Sequence, residues 1–250
     1  MSQVTNPLID PVEQVIIALD CPREEALVLA QELKGTARWL KVGMTLYYAA
    51  GPSIVRELKD KGYQIFVDLK LHDIPHQVKG AAASVVEAGA DMLTVHASGG
   101  GAMLRAAVEG ATQARGDRAD RSHKPLLIAV TVLTSMDAKT LRQVGVAKEL
   151  EVQVGSLALL AREAGLDGVV ASPQEALKLR DLLGDKAAIV TPGVRPAGSS
   201  QDDQNRIATP AQALSNGASH LVIGRPITAA RNPRAALDTI LEEIRRAQHD

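Results

Sequence analysis

Eight short apolar runs, rich in Val, Ile and Leu, recur along the chain. They are VIIALD (15–20), RWLKVG (38–43), YQIFVDL (63–69), DMLTVH (91–96), LLIAVTVL (126–133), LDGVVA (166–171), AAIVTP (187–192) and HLVIGR (220–225). Most are continuous rather than alternating, the pattern of parallel strands covered on both faces. Segments of helical periodicity separate them. Arg23 to Lys34 places Ala26, Leu27, Ala30 and Leu33 on one face, with Pro22 before it and Gly35 after it. Ser172-Pro173-Gln174-Glu175 reads as a capping box with Pro at the first helical position, closed by Gly184. Thr209-Pro210-Ala211-Gln212 repeats that signal, and Asn232-Pro233 opens a last helix with Ala236, Leu237, Ile240, Leu241 and Ile244 on one side. Eight strand–helix units with no linker between them predict an α/β fold, a single (β/α)₈ TIM barrel spanning residues 1–250. The alternative, an open doubly wound sheet, expects a glycine fingerprint after the first strand, where Leu19-Asp20-Cys21-Pro22 stands instead.

Composition narrows the function classes. The 250 residues carry 28 Lys+Arg and 29 Asp+Glu, a formal net charge of −1, so no basic excess points to nucleic acid. Phe, Trp and Tyr make up only 2% of the chain, which leaves few stacking platforms for single strands and makes the core aliphatic. Cys21 is the single cysteine, so neither an internal disulfide framework nor a multi-cysteine zinc site is expected, and a reducing compartment fits. The start lacks a basic segment followed by an apolar one, and the run 126–133 is too short to span a bilayer as a helix. The expectation is a cytoplasmic protein with no membrane partner.

Catalytic faces of such barrels lie at the C-terminal strand ends. Read there, the chain offers Asp20, Lys41, Asp68, Lys70, His96, Thr131, Thr134, Arg195 and Arg225. An apolar strand needs no charge at its tip, and charges gathered at one rim point to a site. The densest stretch is Asp68-Leu69-Lys70-Leu71-His72-Asp73-Ile74-Pro75. Strand alternation puts Asp68 and Lys70 on one side. Asp73 precedes a helix predicted from Pro75, whose positive end favours the carboxylate. With Lys41 the set sums to zero charge, tolerable in a buried place only if the groups pair closely. A purely structural ion network is the other reading. Asp68, His72, Asp73 and His76 could be metal ligands, but the Lys70 ammonium between the carboxylates competes with a cation, and no metal is expected. A Schiff-base role for Lys70 or Lys41 wants a depressed lysine pKa, whereas flanking carboxylates raise it. Lys70 therefore reads as a proton donor or cationic stabiliser.

The segment 192–208, PGVRPAGSSQDDQNRIA, is the longest without apolar periodicity and follows strand seven. Loops after strands seven and eight are the recurrent phosphate site of this fold. Arg195, with Gly193 beside it, and Gly224-Arg225 supply planar cations and close backbone approach, and the loop could close over a substrate. Gly99-Gly100-Gly101 is a weaker candidate, read as a turn into the helix around Met103.

These residues make the chain similar to the orotidine 5′-monophosphate decarboxylase family, over nearly its whole length from Ile17-Ala18-Leu19-Asp20 to Ile223-Gly224-Arg225. The most specific block is 68–75, the family's D-x-K-x-x-D-I-P signature; Lys41-Val42-Gly43-Met44, 131–136, 191–195 and Asp203-Gln204 also match. The resemblance implies decarboxylation of orotidine 5′-monophosphate to uridine 5′-monophosphate, the last step of de novo pyrimidine nucleotide synthesis, by a homodimer without metal or organic cofactor. It implies that Asp20 and Lys41 hold ribose hydroxyls and that Lys41 also orients Asp68. By the same resemblance Asp68 would sit against the substrate carboxylate, Lys70 would protonate the ring carbon, and Asp73 would come from the partner subunit. Thr134, or its neighbour Ser135, contacts the base, and Gln204 bridges base and phosphate. Arg195, Gly224 and Arg225 bind phosphate, while Ile74 and Gln77 complete the substrate-binding set, Gln77 standing where some relatives carry Thr. Two rivals remain. One is a Mg²⁺-dependent sugar-phosphate enzyme of the same superfamily, of the keto-gulonate phosphate decarboxylase or hexulose phosphate synthase type. The other is a non-catalytic sensor of phosphate ligands, which would need no paired lysines and carboxylates.

Overall fold

A computed structural model describes residues 9–115, 124–196 and 208–249. Eight parallel strands close into a barrel in chain order: β1 Val15–Leu19, β2 Trp39–Gly43, β3 Gln64–Leu71, β4 Met92–His96, β5 Leu126–Val130, β6 Gly168–Val170, β7 Ala188–Pro192 and β8 His220–Ile223. Seven of the predicted apolar runs contain a whole strand, and β3 starts in its run and continues two residues beyond it, to Leu71.

Period-two alternation divides each strand between two apolar layers. Ile16, Trp39, Phe66, Met92, Ile128, Ala188 and Val190 form a small cluster inside the barrel. Their neighbours, among them Ile17, Leu40, Ile65, Leu93 and Ile189, join the larger cluster under the surrounding helices. The scarcity of aromatics is thus met by aliphatic packing. At β6 and β7 the strands meet so closely that a Cβ on Gly168 would lie 1.9 Å from the Ala188 carbonyl oxygen.

The helix signals are used in the expected places. The helix Arg23–Glu32 is followed by Gly35 at φ 84°. The Thr209 hydroxyl accepts from the Gln212 N–H at 3.2 Å ahead of the helix Pro210–Ser215, and the Asn232 side chain accepts from the Ala235 N–H at 3.0 Å ahead of Pro233–His249. The helix after β6 departs from expectation. It runs Ala176–Leu183, because residues 173–175 form a separate tight turn. Only half of the capping box forms: the Ser172 N–H donates to the Glu175 carboxylate at 2.9 Å, while the Ser172 hydroxyl has no partner.

Two strands end early at the catalytic side. β5 stops at Val130, and Val132, Leu133 and Thr134 turn over the barrel mouth. β8 stops at Ile223, and a short helix Arg225–Thr228 follows with Pro226 in its first turn, a residue that cannot extend a strand ladder. At the opposite end, the side chain just before each of β4, β6 and β8 ties down the preceding strand. Asp91 accepts from the Ile65 N–H at 2.7 Å, Asp167 from the Leu127 N–H at 2.9 Å, and the Ser219 hydroxyl from the Ile189 N–H at 2.8 Å. These ties lie at the end opposite the catalytic face of such barrels.

Candidate active site

At the C-terminal strand ends lies a cavity of about 410 Å³. Every barrel strand except β4 contributes to its wall or to the loop above it. Asp20, Lys41, Asp68, Lys70, Thr134, Arg195, Gly224 and Arg225 all line it, over an apolar floor that includes Phe66, Val130 and Val190. Seven of the nine predicted rim residues therefore converge on one space, while His96 and Thr131 stand outside its wall.

The charges form a continuous chain. Lys41 Nζ lies 2.9 Å from Asp20 Oδ1 and 3.8 Å from Asp68 Oδ2, and Lys70 Nζ lies 2.9 Å from Asp68 Oδ1. Lys41 is buried, with 9% of its side chain exposed, while its partner Asp20 is 62% exposed at the mouth. Burial alone would raise the Asp68 pKa. The charges of Lys41 and Lys70, and hydrogen bonds from Lys70 and Thr94, outweigh it and hold the carboxyl below the usual carboxylate range. Asp68 is thus a fixed anion with an ammonium on each side.

Strand alternation predicted that Asp68 and Lys70 share a side, and they do, but along a different path. Lys70 is left-handed at φ 52°, and the pairing of β3 with β4 slips between Val67 and Leu71. The Lys70 N–H, displaced from the ladder, donates to the Thr94 hydroxyl at 2.9 Å, and that hydroxyl donates to Asp68 Oδ1 at 2.9 Å. Thr94 is fully buried. Sequence reasoning missed it because a threonine inside an apolar run reads as an ordinary strand former.

Gly43 is a second residue whose role was not legible. A Cβ there would stand 2.9 Å from Asp20 Oδ1 and 3.0 Å from Lys41 Nζ, so the glycine leaves room for that pair.

Asp73, Ile74 and Gln77 are exposed and stand apart from the cavity wall of this chain. The Asp73 carboxylate accepts from the Ile74 N–H at 2.6 Å, ahead of the helix Pro75–Glu87. Ile74 is 63% exposed, a large apolar side chain facing outward. Gln204, with the middle of its loop, lies outside the described residues. The base of that loop is closed by a hydrogen bond of 3.0 Å from the Arg195 N–H to the Ala208 carbonyl, and Gly193 turns at φ 79°. Of the adjacent pair, Thr134 lines the cavity and Ser135 is exposed outside its wall. The Thr131 hydroxyl turns instead to the Val170 carbonyl at 3.3 Å.

His72 and His76 are exposed, and the His72 ring lies 5.3 Å from that of His96. Burial, with His72 and Lys70 nearby, pushes the His96 pKa down. Among the described residues no three His, Cys, Asp or Glu side chains gather as a metal site. Burial, with Glu25 and Asp20 nearby, pushes the Cys21 thiol up to about 11 and keeps it protonated.

The model of the "Orotidine 5'-phosphate decarboxylase / HUMPS family" matches residues 13–240. The chain belongs to this family. A relative named orotidine 5′-phosphate decarboxylase from Moorella thermoacetica is 53% identical, over 93% of this chain and 92% of its own. Another of that name from Nitrosococcus oceani is 51% identical, over 92% of this chain and 97% of its own. The crystal structure of orotidine 5′-phosphate decarboxylase from Lactobacillus acidophilus superposes with a TM-score of 0.82 at 38% identity, covering 93% of this chain and 99% of that one. The family barrel is thus present along the chain. No helix among the described residues is long and apolar enough to cross a membrane.

Proposed function

We propose that this protein decarboxylates orotidine 5′-monophosphate to uridine 5′-monophosphate, the closing step of pyrimidine nucleotide synthesis. The observation that carries the proposal is the chain Asp20–Lys41–Asp68–Lys70 on the wall of a cavity in a member of this family. The names of the relatives at 53% and 51% identity support the same reading.

In the proposed reaction the bond from the pyrimidine ring to the carboxylate breaks, carbon dioxide leaves, and the electron pair stays on the ring carbon. Lys70 gives that carbon a proton. Its ammonium is held by Asp68 before the reaction, so no reorganisation is needed as negative charge develops beside it. Only interactions that strengthen in the transition state raise the rate, and a cation facing a nascent carbanion is of that kind. Asp68 contributes secondarily, by repelling the substrate carboxylate until it departs. Asp20 and Lys41 hold the ribose, Thr134 meets the base, and Arg195, Gly224 and Arg225 grip the phosphate, with Gln204 reaching in from the loop. No metal or organic cofactor enters this scheme. Asp73 completes the charge array in the site of a second copy, with Ile74 and Gln77 beside it. Its exposed position, away from its own chain's cavity, supports that assignment.

The family model also spans sugar-phosphate enzymes, whose chemistry needs Mg²⁺. One experiment separates the readings: purified protein with orotidine 5′-monophosphate and excess EDTA. Continued loss of orotidine absorbance is the expected result; no turnover, or turnover abolished by the chelator, contradicts the proposal.

A further inference from the structure

β3 and β4 pair regularly at Phe66–Met92 and Val67–Leu93, then resume at Leu71–Val95. Asp68, Leu69 and Lys70 therefore face Thr94 alone across the ladder. The excess chain bulges, and among the described residues Lys70 is the one non-glycine forced to a positive φ. A bulge of this kind leaves backbone groups without ladder partners. The Thr94 hydroxyl takes up the orphaned Lys70 N–H, and because that N–H can only donate, the hydroxyl's own proton points to Asp68 Oδ1. One oxygen, buried and apart from the cavity, thus grips the backbone of the proposed proton donor and the carboxylate that holds its ammonium.

We infer that Thr94 is a positioning residue: its hydroxyl holds the strained Lys70 backbone and the Asp68 carboxylate in place, so that the Lys70 ammonium presents to the reacting carbon. This rests on the decarboxylase reading for its kinetic consequence, but the geometric claim concerns Asp68 and Lys70 whatever the substrate. Removing the hydroxyl takes a donor from a buried carboxylate, which raises its pKa, and leaves a buried amide unpaired in a bulge that then relaxes. A relaxation of about 1 Å at a proton donor is enough to cost roughly 10²-fold in rate.

The test compares Thr94→Val, which keeps shape and removes the hydroxyl, with Thr94→Ser, which restores it. Thr94→Ala carries the same expectation as Thr94→Val and replaces it if the valine variant does not fold. Steady-state kinetics are run across pH, and the Asp68 carboxylate is titrated by ¹³C NMR, assigned through Asp68→Asn. The valine variant is expected to lose roughly 10²-fold in kcat with KM changed less than about threefold. Its acid limb and the Asp68 titration move to higher pH, and the serine variant returns both towards wild type. A valine or alanine variant whose kcat and Asp68 titration match the wild type overturns the inference. Absence of turnover in the wild type, with the Asp68 titration still displaced in Thr94→Val, overturns the decarboxylase reading and leaves the positioning role standing.

Discussion

Gly43 stands directly under the Asp20 carboxylate, 2.9 Å from where its own Cβ would be. It ends β2, two residues after Lys41, and alternation points both positions into the mouth. Gly43→Ala should force apart the hydrogen bond between Lys41 Nζ and Asp20 Oδ1. The displaced atoms are the ends of two flexible side chains, one of them largely exposed, so the cost to the fold is small. The pair no longer meets the ribose in its set geometry, however, and kcat/KM should fall by roughly tenfold, mainly through KM. Thermal melting should be nearly unchanged, because Asp20 is free to swing into solvent. Kinetics of the alanine variant at wild-type values would show that the pair does not matter to substrate.

His220 sets a pH dependence of stability. It lies inside the barrel with its ring edge-on to Trp39 at 5.9 Å, and burial pushes its pKa from 6.5 down to about 4. The folded state therefore refuses a proton that the unfolded chain accepts below 6.5. Stability is complete above that pH and falls as the pH drops towards 4. At pH 4.5 the loss is about 2–3 kcal/mol relative to pH 7. Urea unfolding of wild type and His220→Gln at both pH values checks this, since the other titrating groups cancel in the difference. An equal pH dependence in the two proteins would rule out His220 as the cause.

Arg180 ties together the ends of two helices away from the active site. Its guanidinium donates to the carbonyls of Gly184, Asp185, Ala187 and Gly217 at 2.8–3.1 Å. A lysine cannot reproduce that fork. Arg180→Lys should cost about 2–3 kcal/mol, a fall in Tm of roughly 5–10 °C for a chain of this size, with kcat unchanged. Calorimetry together with an activity measurement at 25 °C decides it.

Subunit exchange examines the proposed homodimer. Mixing Lys70→Ala and Asp73→Ala proteins makes hybrids in which one site carries both lesions and the other carries neither. Activity should rise well above that of either parent. Verified hybrid dimers without recovered activity would place Asp73 in its own chain's site or in none.

The barrel was legible because strands buried on both faces are written as unbroken apolar runs, and because Thr209, Asn232 and Pro75 mark their helix starts by local chemistry. The cavity wall was legible for a related reason: Asp20, Lys41, Asp68, Lys70, Arg195 and Arg225 are charges where a strand end needs none. Short helices such as Met44–Ala50 and Ser53–Asp60 escaped, since one or two turns carry too little periodicity. Thr94 and Gly43 escaped because their roles are relational. A hydroxyl that repairs a bulge, and a missing Cβ that spares an ion pair, have meaning only once the neighbouring strand is in place. The left-handed Lys70 escaped for the same cause, as nothing in a lysine's chemistry favours φ 52°.

The central claim is that the Lys70 ammonium, anchored by Asp68, protonates the carbon that carbon dioxide leaves. Its most direct test is turnover of orotidine 5′-monophosphate by wild type and Lys70→Ala in EDTA, with uridine 5′-monophosphate binding measured on both to establish an intact site. The account predicts sustained wild-type turnover and a loss of roughly 10³-fold or more in the variant, at the upper range for a positioned general acid. A Lys70→Ala protein that still binds the product and turns over within tenfold of wild type would contradict it.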